Sequence, residues 1–154
     1  MRRRLQHGLT LTEAMVAMAI AVILLGVAVP SFSSSIARAR LEGVVNELSI
    51  DLQHARSVSI RRRATVMLAT AADGRSYTLT RGTETLKTVS LPSGVALTSN
   101  VSVEFDPLRG TAQAAVFDAT SVTLAASLRV NTTAMGRIQV CSPNRAFGGY
   151  YAAC

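Results

Sequence analysis

Few residues of this chain have the type and spacing to do chemistry, and they sit near its two ends. Cys141 and Cys154 are the only cysteines and fall within the last fourteen residues. Glu13 stands alone at the start of an apolar stretch, and Arg129, Arg137 and Arg145 are strung along the C-terminal part. The only histidines, His7 and His54, are far from the cysteines in sequence, so a metal site lacks ligands and a disulfide is the expected use of the pair. No nucleophile, base and orienting acid stand together. No Gly-rich phosphate loop or carboxylate cluster with ligand spacing occurs. His54 falls among ordinary helix-surface residues and is expected to be solvated or packed. The chain is therefore not expected to be an enzyme, and no cofactor or metal is implied.

The 154 residues suffice for one modest domain with a core. Hydrophobic residues make up 49% and charged ones only 16%, an apolar balance for a soluble protein. The excess lies near the N-terminus: from Ala14 to Ala37 there is no Asp, Glu, Lys, Arg or His. Such a run can cross a bilayer, which takes roughly 20 helical residues. Arg2, Arg3 and Arg4 precede it and would hold the N-terminus in the cytoplasm, placing the remainder across the membrane. A cleaved secretory signal begins similarly, but this stretch is too long, and Ala28-Val29-Pro30 is a poor cleavage site. In an exported domain the Cys141–Cys154 pair is expected to be oxidised, contributing about 3 kcal/mol by restricting the unfolded chain.

An acid in a membrane helix is costly and needs a partner. In a first turn Glu13 favours the helix dipole and can cap free N–H groups. Two further readings are open: pairing with a positive N-terminus created by cleavage just before the helix, or snorkelling at the headgroup boundary. "GLTLTE" before an apolar helix resembles the class III signal of type IV pilins and type II secretion pseudopilins, usually Gly-Phe-Thr-Leu-Ile-Glu. Leu9 and Thr12 depart from that form. The resemblance implies that a prepilin peptidase cuts between Gly8 and Leu9 and methylates the new amine of Leu9. It also implies that Glu13 pairs with the N-terminal amine of a neighbouring subunit during assembly.

Leu41, Val44 or Val45, Leu48, Leu52, Ala55 and Val58 recur at three- and four-residue steps, the mark of an amphipathic helix. Arg38, Arg40, Glu42, Glu47, Asp51 and Gln53 fall largely off that stripe. Pro30 should end or kink the apolar part, yet the periodicity resumes at once, so one helix from about Leu11 to Arg62 is expected. Arg61, Arg62 and Arg63 complement its C-terminus. Beyond "RRRAT" the texture changes to period two with Thr and Val. "ATVMLAT" and "SYTLTR" flank a hairpin turn at Asp73-Gly74. "ETLKTVS", "VALTSNVSVEF", "AQAAVFD", "SVTLAASLRV" and "GRIQVC" are further strand candidates. Pro92 to Gly94, Asp106-Pro107 and Asp118 to Ser121 are read as breaks between them.

"VEFDPLRGTA" with "SLRVNTTAMGRIQVC" resembles the GspH/FimT family of minor pilins and pseudopilins, through Phe105, Pro107, Gly110, Gly136, Arg137 and Ile138. The two resemblances imply an α+β, type IV pilin-like fold, a long N-terminal helix packed on a C-terminal antiparallel β-sheet domain. They divide the chain into a leader (1–8), a transmembrane and filament-core helix (9–30), the amphipathic half of that helix (31–63) and a β-rich periplasmic domain (64–154). They also imply residence in the bacterial inner membrane and then in a pilus or pseudopilus. The partners would be prepilin peptidase and other minor and major pilins or pseudopilins, in a priming or tip complex. Type IV pilus and type II secretion system both fit. Some family members bind double-stranded DNA for natural transformation through arginines in and after a Gly-Arg-x-Arg motif. Here Gln139 replaces the second arginine, leaving Arg137, Arg145 and Arg129 as candidates. Without the leader's three arginines, thirteen basic residues still face nine acidic ones. Such contacts hold phosphates without reading sequence.

Overall fold

The computed structural model describes residues 10–144, 147 and 149–154, with the side chains of 27–31 excepted. Two compact units divide between Ser35 and Ile36. Helix α1 spans Leu11–Arg62 and runs through Pro30 without ending there. Its start is capped: Glu13 donates its backbone N–H to Thr10 Oγ1 at 3.3 Å, and Ala14 donates to the Thr10 carbonyl at 3.2 Å. Thr10 and Glu13 thus stand at the N-cap and third-position sites of a capping-box sequence, with the acid on the positive end of the helix dipole.

In the first unit, the large apolar side chains from Leu11 to Leu25 are 53 to 79% exposed on every side of the helix. Among the described residues no helix is long and apolar enough to cross a membrane.

The second unit holds the core. Leu41, Val44, Val45, Leu48, Leu52, Ala55 and Val58 of α1 are all buried, so both members of the Val44/Val45 alternative face inward. They pack on eight strands: β1 (Val66–Thr70), β2 (Ser76–Arg81), β3 (Glu84–Ser90), β4 (Val95–Ser99), β5 (Val103–Phe105), β6 (Ala115–Ser121), β7 (Ser127–Thr132) and β8 (Ile138–Cys141). The strands make two antiparallel four-stranded sheets, ordered β3-β2-β1-β5 and β4-β6-β7-β8. Alternation places Val66 and Leu68, Tyr77 and Leu79, Phe117 and Ala119, and Leu128 and Val130 in the core. Asp73-Gly74 turns the chain between β1 and β2, as expected.

Three expectations are corrected. "VALTSNVSVEF" is not one strand: β4 pairs with β6 and β5 with β1, so the segment crosses from one sheet to the other. Asp118 to Ser121 is no turn but the second half of β6, held between β4 and β7, and the reversal falls at residues 122–126. Asp51 is on the buried side of the helix, not off it.

Candidate functional site

The two glycines of the C-terminal motif meet at one place. Gly110 ends the β5–β6 turn and Gly136 the β7–β8 turn, and Ala112 donates its N–H to the Ala134 carbonyl at 3.1 Å to join the turns. Both glycines have positive φ, 63° and 71°. A Cβ at 136 would collide with the Gly110 carbonyl oxygen and sit 3.0 Å from Arg56 Nε. One at 110 would lie 2.7 Å from Ile60 Cδ1. At 136 the obstacle is backbone and leaves no room for a side chain, whereas at 110 it is the tip of Ile60. Arg56 reaches from α1 between the turns, donating from Nη1 to the Gly136 carbonyl at 3.1 Å, while its Nε is buried without an acceptor. Arg137 follows directly, with an exposed side chain and its N–H on Thr133 Oγ1. Asp106 shapes the other turn by accepting the Arg109 and Leu108 N–H groups at 2.8 and 2.9 Å, which holds its carboxyl below the usual range. Between this end of α1 and β8 runs an open groove of about 500 Å³.

The other candidates are placed differently. Arg129, on β7, is bidentate on Asp118 of β6 at 2.7 and 3.0 Å, a cross-strand pair that raises the guanidinium pKa through the Asp118 hydrogen bond. The pair is locally neutral, so Arg129 is a weaker phosphate ligand than its sequence position suggests. Gly8, Leu9 and Arg145 lie outside the described residues. His54 is exposed. Arg61 and Arg62 occupy the last turn of α1, and Arg63 follows at φ 47°, its N–H on the Ile60 carbonyl, closing the helix in a left-handed cap.

Cys141 and Cys154 form the disulfide, with Cα atoms 5.0 Å apart. The bridged segment returns its Phe147 to the core and sets that ring 4.9 Å from the Arg38 guanidinium carbon. Tyr151 meets Phe147 edge-on at 5.8 Å. Replacing both cysteines with serine is expected to cost about 3 kcal/mol. A denaturant midpoint unchanged from the oxidised parent would show that the aromatic contacts suffice alone.

Sequence reasoning missed a polar cluster under α1. The buried Asp51 carboxylate accepts the Tyr77 hydroxyl at 2.7 Å and Lys87 Nζ at 2.7 and 2.9 Å; Glu47 accepts the same ammonium at 3.0 Å. Burial, and then the Asp51 bond, push the Tyr77 pKa up; the Asp51 bond raises that of Lys87. The only local signal is that Asp51 directly precedes Leu52 of the buried stripe.

A long helix whose amphipathic half packs against antiparallel sheets, with a disulfide-closed C-terminus, is a pilin-type fold. Solved structures agree on the fold. The type IV minor pilin FimU of Pseudomonas aeruginosa matches with a TM-score of 0.57 at 18% identity, over 67% of this chain and 89% of that one. The minor pseudopilin EpsH of the Vibrio cholerae type 2 secretion system matches with 0.57 at 12%, over 68% and 98%. No curated protein sequence matches. Residues 3–29 match the prokaryotic N-terminal methylation motif, and residues 44–148 match the type II transport protein GspH. The chain belongs to the GspH family. It is accordingly a structural subunit, a minor pilin or pseudopilin, and not an enzyme.

Proposed function

We propose that the chain is made as a precursor, held in the inner membrane with its N-terminus cytoplasmic and its β-domain periplasmic, and then built into the priming or tip complex of a type IV pilus or type II secretion pseudopilus. The observation that carries this reading is the coexistence in one chain of the methylation motif and the GspH match. Prepilin peptidase cuts after Gly8, and the amine of Leu9 is methylated. The freed helix packs laterally among those of neighbouring pilins or pseudopilins. The all-round apolar surface of residues 11–25 supports that role, because a helix exposed on every side needs lipid or other helices around it.

Glu13 then has two tasks. It favours the first turn of α1 within its own chain, and it offers a carboxylate to the amine of the next subunit. Glu13→Ala is expected to leave processing intact and lower incorporation into sheared filaments at least about tenfold, the ratio given by about 1.4 kcal/mol. Normal incorporation would remove the intersubunit role.

A second reading, capture of double-stranded DNA during natural transformation, is supported by the exposed Arg137, which has no carboxylate partner among the described residues. With Arg129 occupied by Asp118 and Gln139 in place of the motif's second arginine, it is the weaker of the two.

A further inference from the structure

We propose that the groove between α1 and β8 receives an extended, carboxylate-bearing segment of a neighbouring filament subunit. The inference rests on the filament-subunit reading and deepens it by assigning a contact surface in the periplasmic domain.

Three observations carry it. The first is charge without a partner. Arg56 and Arg137 both line the groove, and neither has a carboxylate partner among the described residues. The second is preorganisation. Arg56 is held by the Gly136 carbonyl and wedged between two turns that approach each other so closely that Gly136 has no room for a Cβ. Its guanidinium is therefore fixed before anything binds, which lowers the ordering cost of recognition. The third is the wall opposite α1. β8 is the end strand of its sheet, pairing through Ile138–Cys141 with β7; just past its Cys141 end Ser142 is bridged to Ala153 of the C-terminal tail, and Ile138 at its other end lines the groove. An end strand offers backbone donors and acceptors that an added strand can use. Ile60 and Ile138 supply apolar contact for alternate side chains, and Gln53 and Ser57 a polar rim.

This combination favours a peptide over nucleic acid. A carboxylate matches the planar guanidinium fork of the exposed Arg137, with Arg56 adding its charge beside it. A phosphate would as well, but a duplex has no use for the backbone edge of β8 or for the two isoleucines. Charge at such a rim fixes orientation and partner choice, with the strand pairing and apolar contacts supplying the remainder.

The test uses the full chain in its native host, with a photoreactive benzoylphenylalanine placed at Ser57 in the groove or, as a control, at Val22 in the apolar helix. The crosslinked peptide is identified by mass spectrometry. The expected result is a Ser57 crosslink to a segment of another pilin-type subunit with an Asp, a Glu or a C-terminal carboxylate within a few residues. Arg137→Glu should reduce it about tenfold or more, and reversing the partner's acid to arginine should restore it. Crosslinks from Ser57 to DNA, to this chain alone or to nothing, with Val22 still crosslinking to pilins, would overturn the proposal and leave the subunit reading standing. Loss of pilin crosslinks from both positions would overturn the subunit reading itself. A Ser57 crosslink insensitive to Arg137→Glu would also overturn the carboxylate assignment.

Discussion

Gly136→Ala is expected to lower the thermal midpoint of the full chain by about 10 °C, the effect of about 3 kcal/mol in a domain of this size. Two costs combine. An alanine must hold φ near 71°, which its Cβ opposes, and that Cβ is driven into the Gly110 carbonyl oxygen with Arg56 Nε at 3.0 Å. Neither neighbour gives way easily. The carbonyl belongs to a turn fixed by Asp106, and the guanidinium is tied to Gly136 itself. Gly82→Ala is the control: it also has positive φ, 58°, but a Cβ there meets nothing within 4 Å. It should lose only the conformational part, about 1 kcal/mol. Equal midpoints for the two variants, read by circular dichroism, would show that the junction of the two turns is looser than described.

Asp51→Ala is expected to cost about 3 kcal/mol, because it strands a buried Tyr77 hydroxyl and removes the main partner of Lys87. The ammonium is partly exposed and keeps Glu47, so the full penalty of an orphaned buried charge does not apply. Adding Tyr77→Phe to Asp51→Ala should recover part of the loss, since the unsatisfied hydroxyl disappears with it. No recovery in the double variant's urea midpoint would mean that the hydroxyl finds another acceptor. The cluster also sets an alkaline limit. The folded pKa values of Tyr77 and Lys87 are raised above 10.0 and 10.5, so their stabilisation is complete below those values and is lost as pH climbs beyond them. Asp106 sets the opposite limit: its lowered folded value gives a contribution present above pH 3.8 and lost as pH falls further.

How much of this was legible in the sequence follows from the range of each interaction. The buried stripe from Leu41 to Val58 could be read because it is a property of one helix and its period. The β1–β2 hairpin could be read because Asp73-Gly74 is a local turn signal. What escaped depends on partners distant in the chain. Asp51 carries a charge that any single-helix reading places outside, and its burial makes sense only once β2 and β3 bring Tyr77 and Lys87 over it. The run from Val95 to Phe105 carries only the short polar cluster Thr98-Ser99-Asn100 between its two strands, and the sheet change itself is decided by pairing with β6 and β1. Asp118 to Ser121 is rich in turn formers, yet it is strand because two neighbours pair with it and Arg129 neutralises Asp118. Of the residues at the junction of the two turns, Gly110, Gly136 and Arg137 stood out by resemblance. Arg56 did not, since nothing in a helical sequence announces that two distant turns will close on one of its arginines.

Whether this GspH-family chain is a processed filament subunit is read from the intact mass of the protein isolated from its native host. The expected mass lacks the first eight residues, carries one added methyl group on Leu9 and reverts to the uncut, unmethylated precursor in Gly8→Ala. A wild-type chain that retains Met1 to Gly8, or a Gly8→Ala chain cut and methylated as usual, would show that the chain is not processed at Gly8 as a prepilin.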